Sequence, residues 1–414
     1  MRSICLYFKV HQPVRLRKLR FFEIGSSDYY YDDYNNERIL RRIADNCYLP
    51  TNKVILDLIN KYQGRFRVAF SISGTAIDQF KIYAPEVIES FQELAATGCV
   101  EFLAETYYHS LSALKNKTEF KRQVEKHATA IETLFGTRPT VFTNTELIYS
   151  DEIGATIAEM GYKATLTEGP NHILKWRSPN YLYRNALNPE LTVLLKNYQL
   201  SDDIAFRFSN SDWSGWPLTA KKYVSWLNKI PKKEKIVNLF MDYETFGEHQ
   251  KIETGIFKFL NLLPSSVFTK SDFEFMTPSD VVELYQPIST INVPYPISWA
   301  DEERDLTAWL GNELQQEAFE KLYELSGMIS RCTDPVLLKD WQYLQTSDHF
   351  YYMSTKYYSD GDVHAYFNPY DNPYEAFMNY MNVLNDFTIH LKRTGNLKQL
   401  PEAKQTEGVL VPIF

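Results

Sequence analysis

The chain of 414 residues is 44% hydrophobic and 23% charged, near globular averages, which excludes fibrous repeats and wholesale disorder. Its 52 Asp and Glu outnumber 44 Lys and Arg, and the net charge of −8 has the wrong sign for a nucleic-acid binder. No apolar run reaches the roughly 18 residues a membrane span needs, and Cys5, Cys47, Cys99 and Cys332 lack metal or disulfide spacing, which fits a reducing cytoplasm.

In chain order, Ile4, Leu6, Phe8 and Val10 alternate and predict a first strand ending at His11. Lys9, inside that apolar stretch, argues for a strand over a secretion signal. Helical spacing follows at 54–59, a strand at 66–72, and a helix at 76–96 stopped by Gly98. A strand at 100–104 precedes a helix at 120–135, closed by Gly136; strand 140–144, helix 152–160 and short strand 163–166 come next. The series resumes with helix 218–229, strand 236–241, helix 252–263, strand 273–276 and a helix opened by Pro278 and Ser279. Repeated βα units imply a parallel sheet with helices outside, and about seven units in roughly 290 residues favour a barrel, complete or one strand short. Beyond the proline-containing stretch 292–296 the pattern turns helical, with segments at 303–331, 335–358 and 373–392. The expected organisation is therefore α/β, a barrel over 1–290 followed by a helical domain over 291–400. That second part carries the aromatic stretch Asp348 to Met353 and a polar loop at 359–364.

Reacting groups of a βα barrel gather where strands end. The ionisable residues there are His11, Glu101 and Glu105, Glu146, and Asp242 with Glu244. Asp242, Glu244, Glu248 and His249 crowd together just beyond an apolar strand, a pattern that solubility does not explain. Neighbouring carboxylates push each other's pKa apart and so suit acid/base chemistry. A metal held by His11, Asp242 and His249 is the competing reading, but no tight ligand spacing supports it. Aromatic residues are 15% of the chain. An aromatic-rich core accounts for that figure, yet Tyr and Trp also pair a flat apolar face with a polar tip, which suits sugar rings. Two carboxylates from different strands, flanked by aromatics, meet the requirements of glycoside hydrolysis.

At these positions the chain resembles glycoside hydrolase family 57, in particular its α-amylase-type members. The matching stretches are His11-Gln12-Pro13, Gly98-Cys99-Val100-Glu101, Asn144-Thr145-Glu146-Leu147, Asp242-Tyr243-Glu244-Thr245-Phe246-Gly247 and Ala308-Trp309-Leu310-Gly311-Asn312. The resemblance runs from residue 3 to about 390. It implies an incomplete seven-stranded (β/α) barrel followed by a C-terminal helical bundle that completes the cleft. It also implies cleavage of α-1,4-glucans with retention of configuration and without metal or other cofactor. Glu146 would be the nucleophile and Asp242 the proton donor. His11, Gln12, Glu101, Glu244, His249, Trp213 and Trp309 would bind substrate. The third stretch reads Thr-Asn-Thr-Glu where the family more widely has Trp-x-Pro-Glu, so the shape of the neighbouring subsite differs. The expected partner is an α-glucan or maltooligosaccharide, with no nucleic acid and no membrane. Transfer by a 4-α-glucanotransferase or branching enzyme with the same carboxylates is the nearest alternative; a weakly active glucan-binding homologue and a metal-dependent deacetylase stand further off.

Overall fold

The computed structural model describes residues 1–356 and 367–393. The loop at 359–364, residues 357–358 of one expected helix and the last expected helical-domain residues, 394–400, lie outside the described residues. Among the described residues there are ten strands: β1 (Arg2–Val10), β2 (Val68–Ile72), β3 (Val100–Phe102), β4 (Val141–Thr143), β5 (Ala164–Thr167), β6 (Leu182–Asn185), β7 (Thr192–Leu195), β8 (Ile236–Asp242), β9 (Phe273–Phe275) and β10 (Ser289–Ile291). They form two five-stranded sheets. One has the order β3-β2-β1-β8 with β9 also on β1; the other is β10-β6-β7-β5-β4. All pairings are parallel except β6 with β7. The sheets meet at two seams. Ala104, just past β3, bridges Phe142 of β4, and the Asn197 amide, just past β7, donates to the Asn238 carbonyl of β8 at 2.9 Å.

The first strand is buried along its whole length. Its alternation sorts side chains onto two faces. Ile4, Leu6, Phe8 and Val10 pack against the surrounding helices in the largest core cluster. Cys5 and Tyr7 point the other way, into a cluster with Leu103, Val141, Leu166, Leu194 and Phe240 from strands of both sheets. Lys9 is next on that inner face, at the C-terminal end of the strand, and it stands in register with Asp242 of β8. Parallel register places the two side chains on one side of the sheet.

Three expected helices are broken; the segment at 335–358 is Pro335–Leu344 and Ser347–Tyr351, with 352–356 outside any helix. Helix 76–96 is two helices, Gly74–Tyr83 and Pro85–Ala96, because Ala84, preceding a proline, leaves the helical region at φ −151°. The expected run at 303–331 is Thr307–Leu310, Glu313–Glu324 and Ser326–Ile329. Its first break is a capping box: the Asn312 side chain accepts from the Gln315 amide while Gln315 reaches back to the Asn312 amide. The long C-terminal helix, Pro373–Arg393, packs on Glu313–Glu324 and on Pro335–Leu344. Among the described residues no helix is long and apolar enough to cross a membrane.

Gly247 closes the loop that follows β8. It sits at φ +102°, and a Cβ there would stand 2.0 Å from the Asn46 carbonyl oxygen. Gly247→Ala should therefore destabilise the fold by about 1–3 kcal/mol. Urea denaturation measures this, and an unchanged midpoint would contradict the reading.

Candidate active site

The site is built upward from Lys9. Its ammonium, buried at the mouth of the inner core, donates to Glu105 Oε2 at 2.9 Å and contacts His109 Nδ1 at 2.9 Å. An ammonium has only protons to offer, so Nδ1 accepts and the imidazole proton resides on Nε2. That Nε2 donates to Glu146 Oε1 at 2.7 Å. Burial opposes the Lys9 charge, but Glu105 outweighs it and holds the lysine above its ordinary range. Burial likewise opposes the Glu105 carboxylate, and the Lys9 charge holds it well below the usual range.

Glu146 lies just past β4 in a short turn, at φ +55° and ψ +28°. A non-glycine residue there costs about 1–3 kcal/mol and persists only when its surroundings enforce it. They do so here through the polar residues of Thr-Asn-Thr-Glu. The Thr145 hydroxyl donates to the Ser110 carbonyl at 2.9 Å and lies 2.7 Å from the Thr106 hydroxyl, while Asn144 Nδ2 donates to the Ile148 carbonyl at 3.0 Å. From the far side Trp299 arrives. Its indole N–H donates to Glu146 Oε2 at 2.7 Å, and its backbone amide donates to the Glu146 carbonyl at 3.2 Å. Both carboxylate oxygens thus accept a fixed donor. Burial alone would raise the pKa of Glu146, but the His109 hydrogen bond, the Lys9 charge and the Trp299 hydrogen bond bring it down to about 2.

Asp242 ends β8 and shares the cavity with Glu146. Burial, then the neighbouring Glu146 carboxylate, push its pKa up to about 6, against the pull of Lys9 and Lys196. Glu244 does not continue the strand. It sits in a 3-10 turn, Tyr243–Thr245, and still reaches the same cavity. Its Oε1 accepts from the Tyr48 hydroxyl and from Gln12 Nε2 at 3.4 Å. Burial and the nearby Asp242 raise its pKa to about 8.

His11 lies just past β1 with its ring 3.9 Å, centroid to centroid, from that of His109. Its Nε2 is 2.8 Å from Asp348 Oδ2 and its Nδ1 is 2.8 Å from the Ser73 hydroxyl. Burial above all lowers its pKa to about 4. A neutral ring facing a carboxylate donates from Nε2 and accepts at Nδ1. Asp348 comes from the helical region, as do Trp309, Tyr351 and Tyr352, which line the same lobe with His249. A second lobe opens on the other side of Glu146, Asp242 and His249, walled by Lys196, Tyr198, Asp202, Phe206, Trp299 and Arg304. Lys196 and Arg304 are engaged there by Glu168 and Asp202.

Seven of the nine expected site residues, Glu146, Asp242, His11, Gln12, Glu244, His249 and Trp309, line one cavity. Two do not. Glu101 pairs with Ala69 near the start of β2, away from the C-terminal strand ends, and its carboxylate accepts from the Ser279 amide at 2.9 Å and the Ser279 hydroxyl at 2.6 Å. It caps the helix Pro278–Leu284 instead of meeting substrate. Trp213 lines an adjoining groove with Trp226, outside the cavity of the two carboxylates. Four contributors escaped the sequence reasoning as site residues: Lys9, His109, Trp299 and Asp348. Lys9 was signalled by its place on the inner face at a strand end, and His109 by its position in the loop after β3. Trp299 and Asp348 carried no comparable signal.

The ligating atoms of His11, His109 and Asp348 come within 4.8 Å of one another. A cation there would face the Lys9 ammonium across His109, whose two nitrogens are taken by Lys9 and Glu146. The donor set is therefore spent on hydrogen bonds.

With this geometry in place, comparison with known proteins is decisive at the family level. The model of glycosyl hydrolase family 57 matches residues 5–294. The chain belongs to that family. A protein of Methanocaldococcus jannaschii named "Putative alpha-amylase" is 42% identical over 402 residues, covering 94% of this chain and 85% of its own. Two solved structures are similar at much lower identity. The branching enzyme of Pyrococcus horikoshii has a TM-score of 0.65 at 13% identity, covering 88% of this chain and 87% of its own. The alpha-amylase of Thermotoga maritima has a TM-score of 0.61 at 14% identity, covering 95% and 94%. At such identities they testify to the α/β fold with its parallel sheets and following helices.

Lys9→Met leaves Glu105 buried and uncompensated. The family 57 fold should lose about 3–5 kcal/mol of stability. Chemical denaturation tests this, and a loss under about 1 kcal/mol would mean that Lys9 does not sustain the buried charges.

Proposed function

We propose that the protein is a retaining glycosidase that cleaves α-1,4-glucosidic bonds in maltodextrin, starch or glycogen-type chains. One observation carries the reading: two carboxyl groups in one cleft are driven to opposite ends of their range, Glu146 to about 2 and Asp242 to about 6. Divergent pKa values in a shared site mark a nucleophile and an acid.

Glu146, ionised and aimed by His109 and Trp299, attacks C1 of the bound glucose unit. The bond from C1 to the glycosidic oxygen breaks, and the Asp242 proton passes to that oxygen as the shortened chain departs. A water molecule then approaches C1. Asp242, now a carboxylate, takes its proton, the bond between C1 and Glu146 breaks, and both carboxyl groups return to their starting states. Two inversions leave the anomeric configuration unchanged. His11, Gln12 and Glu244 face the sugar hydroxyls, with Trp309 and His249 on the walls. The lobes on either side of the carboxylates suit the two parts of a chain flanking the scissile bond. The relative named as an α-amylase supports this substrate class, and the branching-enzyme fold keeps transfer as the alternative fate of the covalent intermediate.

Glu146→Ala and Asp242→Ala should each lower the rate on maltooligosaccharides by at least about a hundredfold. Retention of activity in either removes that residue from the mechanism. Maltotriose alone should yield only shorter sugars with rising reducing ends; longer oligomers would redirect the assignment to transfer.

The pH dependence follows from the same pair. Glu146 must be ionised, which holds above about 2, and Asp242 must carry its proton, which holds below about 6. The kcat/KM of the free enzyme should therefore fall as pH rises through about 6. A rate that climbs between pH 6 and 8 would exclude Asp242 as the acid.

A further inference from the structure

The second lobe of the cleft does not end at its own wall. The helix Tyr198–Ala205 separates it from the groove that holds Trp213. Tyr198, Asp202 and Ala205 face the catalytic lobe, while Gln199 and Asp203 face the groove. These are neighbouring stripes of one helix, four and three residues apart. At the ends of the divider the cavities share residues: Asn171 and Tyr198 at the N-terminal end, Arg207 past the C-terminal end. Asn171 Nδ2 donates to the Tyr198 hydroxyl at 2.9 Å, so the first junction is itself a built polar surface.

Within the groove the Trp213 indole is placed deliberately. It is partly buried, edge-on to Trp226 with ring centroids 5.8 Å apart, and the Arg207 guanidinium stands 5.7 Å from its centroid. Gly215 makes room for it. A Cβ at 215 would lie 2.4 Å from an atom of the ring. Lys222 Nζ pins that loop by donating to the Gly215 carbonyl at 2.7 Å. An aromatic face flanked by amide, guanidinium and carboxylate groups is the chemistry that recognises a sugar ring, apolar on its faces and hydroxylated at its rim.

We propose that this groove is a distal α-glucan site, which holds the stretch of a long chain running out of the catalytic lobe past Tyr198 and Asn171. The inference rests on the glucan-cleaving reading above and adds to it a preference for long chains. Trp213 is a specificity residue in this account, remote from the reacting atoms, and bound chain length sets whether it is used.

Kinetics on amylose and on maltotriose, with wild type, Trp213→Ala and Gly215→Ala, test the proposal. Trp213→Ala removes the ring; Gly215→Ala keeps it but displaces it, so a folding failure of the first leaves the second informative. Melting temperature reports the fold of each. The KM for amylose should rise about three- to tenfold in both, the scale of one lost stacking contact, while both constants for maltotriose stay at wild-type values. An unchanged amylose KM in folded variants, or an equal rise on both substrates, overturns the distal site. Should the wild type cleave neither substrate, the proposed function fails separately. Calorimetric binding of amylose then decides the groove: weaker binding by Trp213→Ala supports it, and equal binding rejects it.

Discussion

A single buried ammonium organises the catalytic end of this molecule. Lys9 is brought to the inner face by strand alternation, where it meets Glu105 and His109 in a region closed to water. Removing such a charge from solvent is expensive unless it is paired and hydrogen-bonded. The pairing with Glu105 offsets that cost, and contact with His109 settles which imidazole nitrogen bears the proton. The orientation of Glu146 follows from that choice. A carboxylate aimed through a histidine, itself aimed by a lysine, is held by a chain of donors.

The same arrangement separates the two carboxyl groups electrically. Glu146 accepts two directed hydrogen bonds and lies in the field of Lys9, so its charged form is favoured despite burial. Asp242 has burial and the Glu146 charge against ionisation, and distributed lysine fields only partly compensate. Neither behaviour is intrinsic to Glu or Asp. Both arise from where β4 and β8 end, and from the register that sets Asp242 beside Lys9.

Much of this was legible in the sequence. Alternation in β1 and the apolar run of β8 located both strand ends, and with them His11 and Asp242. The carboxylate cluster after β8 stood out by density, and the stretches resembling family 57 placed Glu146. Two of the misreadings were local. Periodicity carried the helices at 76–96 and 303–331 through breaks that Pro85 and the Gly311-Asn312 pair already announced. Strands β6 and β7, four residues each, were too short to show alternation, so Glu168 and Lys196 at the neighbouring strand ends went unnoticed. Glu101 was misplaced because a motif records position along the chain, not height along a strand. The contact of Trp299 with Glu146 spans 153 residues, and no local pattern encodes it.

That last contact has a consequence for how the molecule comes into being. Glu146 receives its indole partner from residue 299 and His11 its carboxylate partner from residue 348. A ribosome that has finished the ten described strands has therefore made a scaffold whose cleft still lacks Trp299 and Asp348. Only when the later helices emerge and fold back do Trp299 and Asp348 reach their places, so Glu146 and His11 gain their full set of partners only after residue 348 has been made.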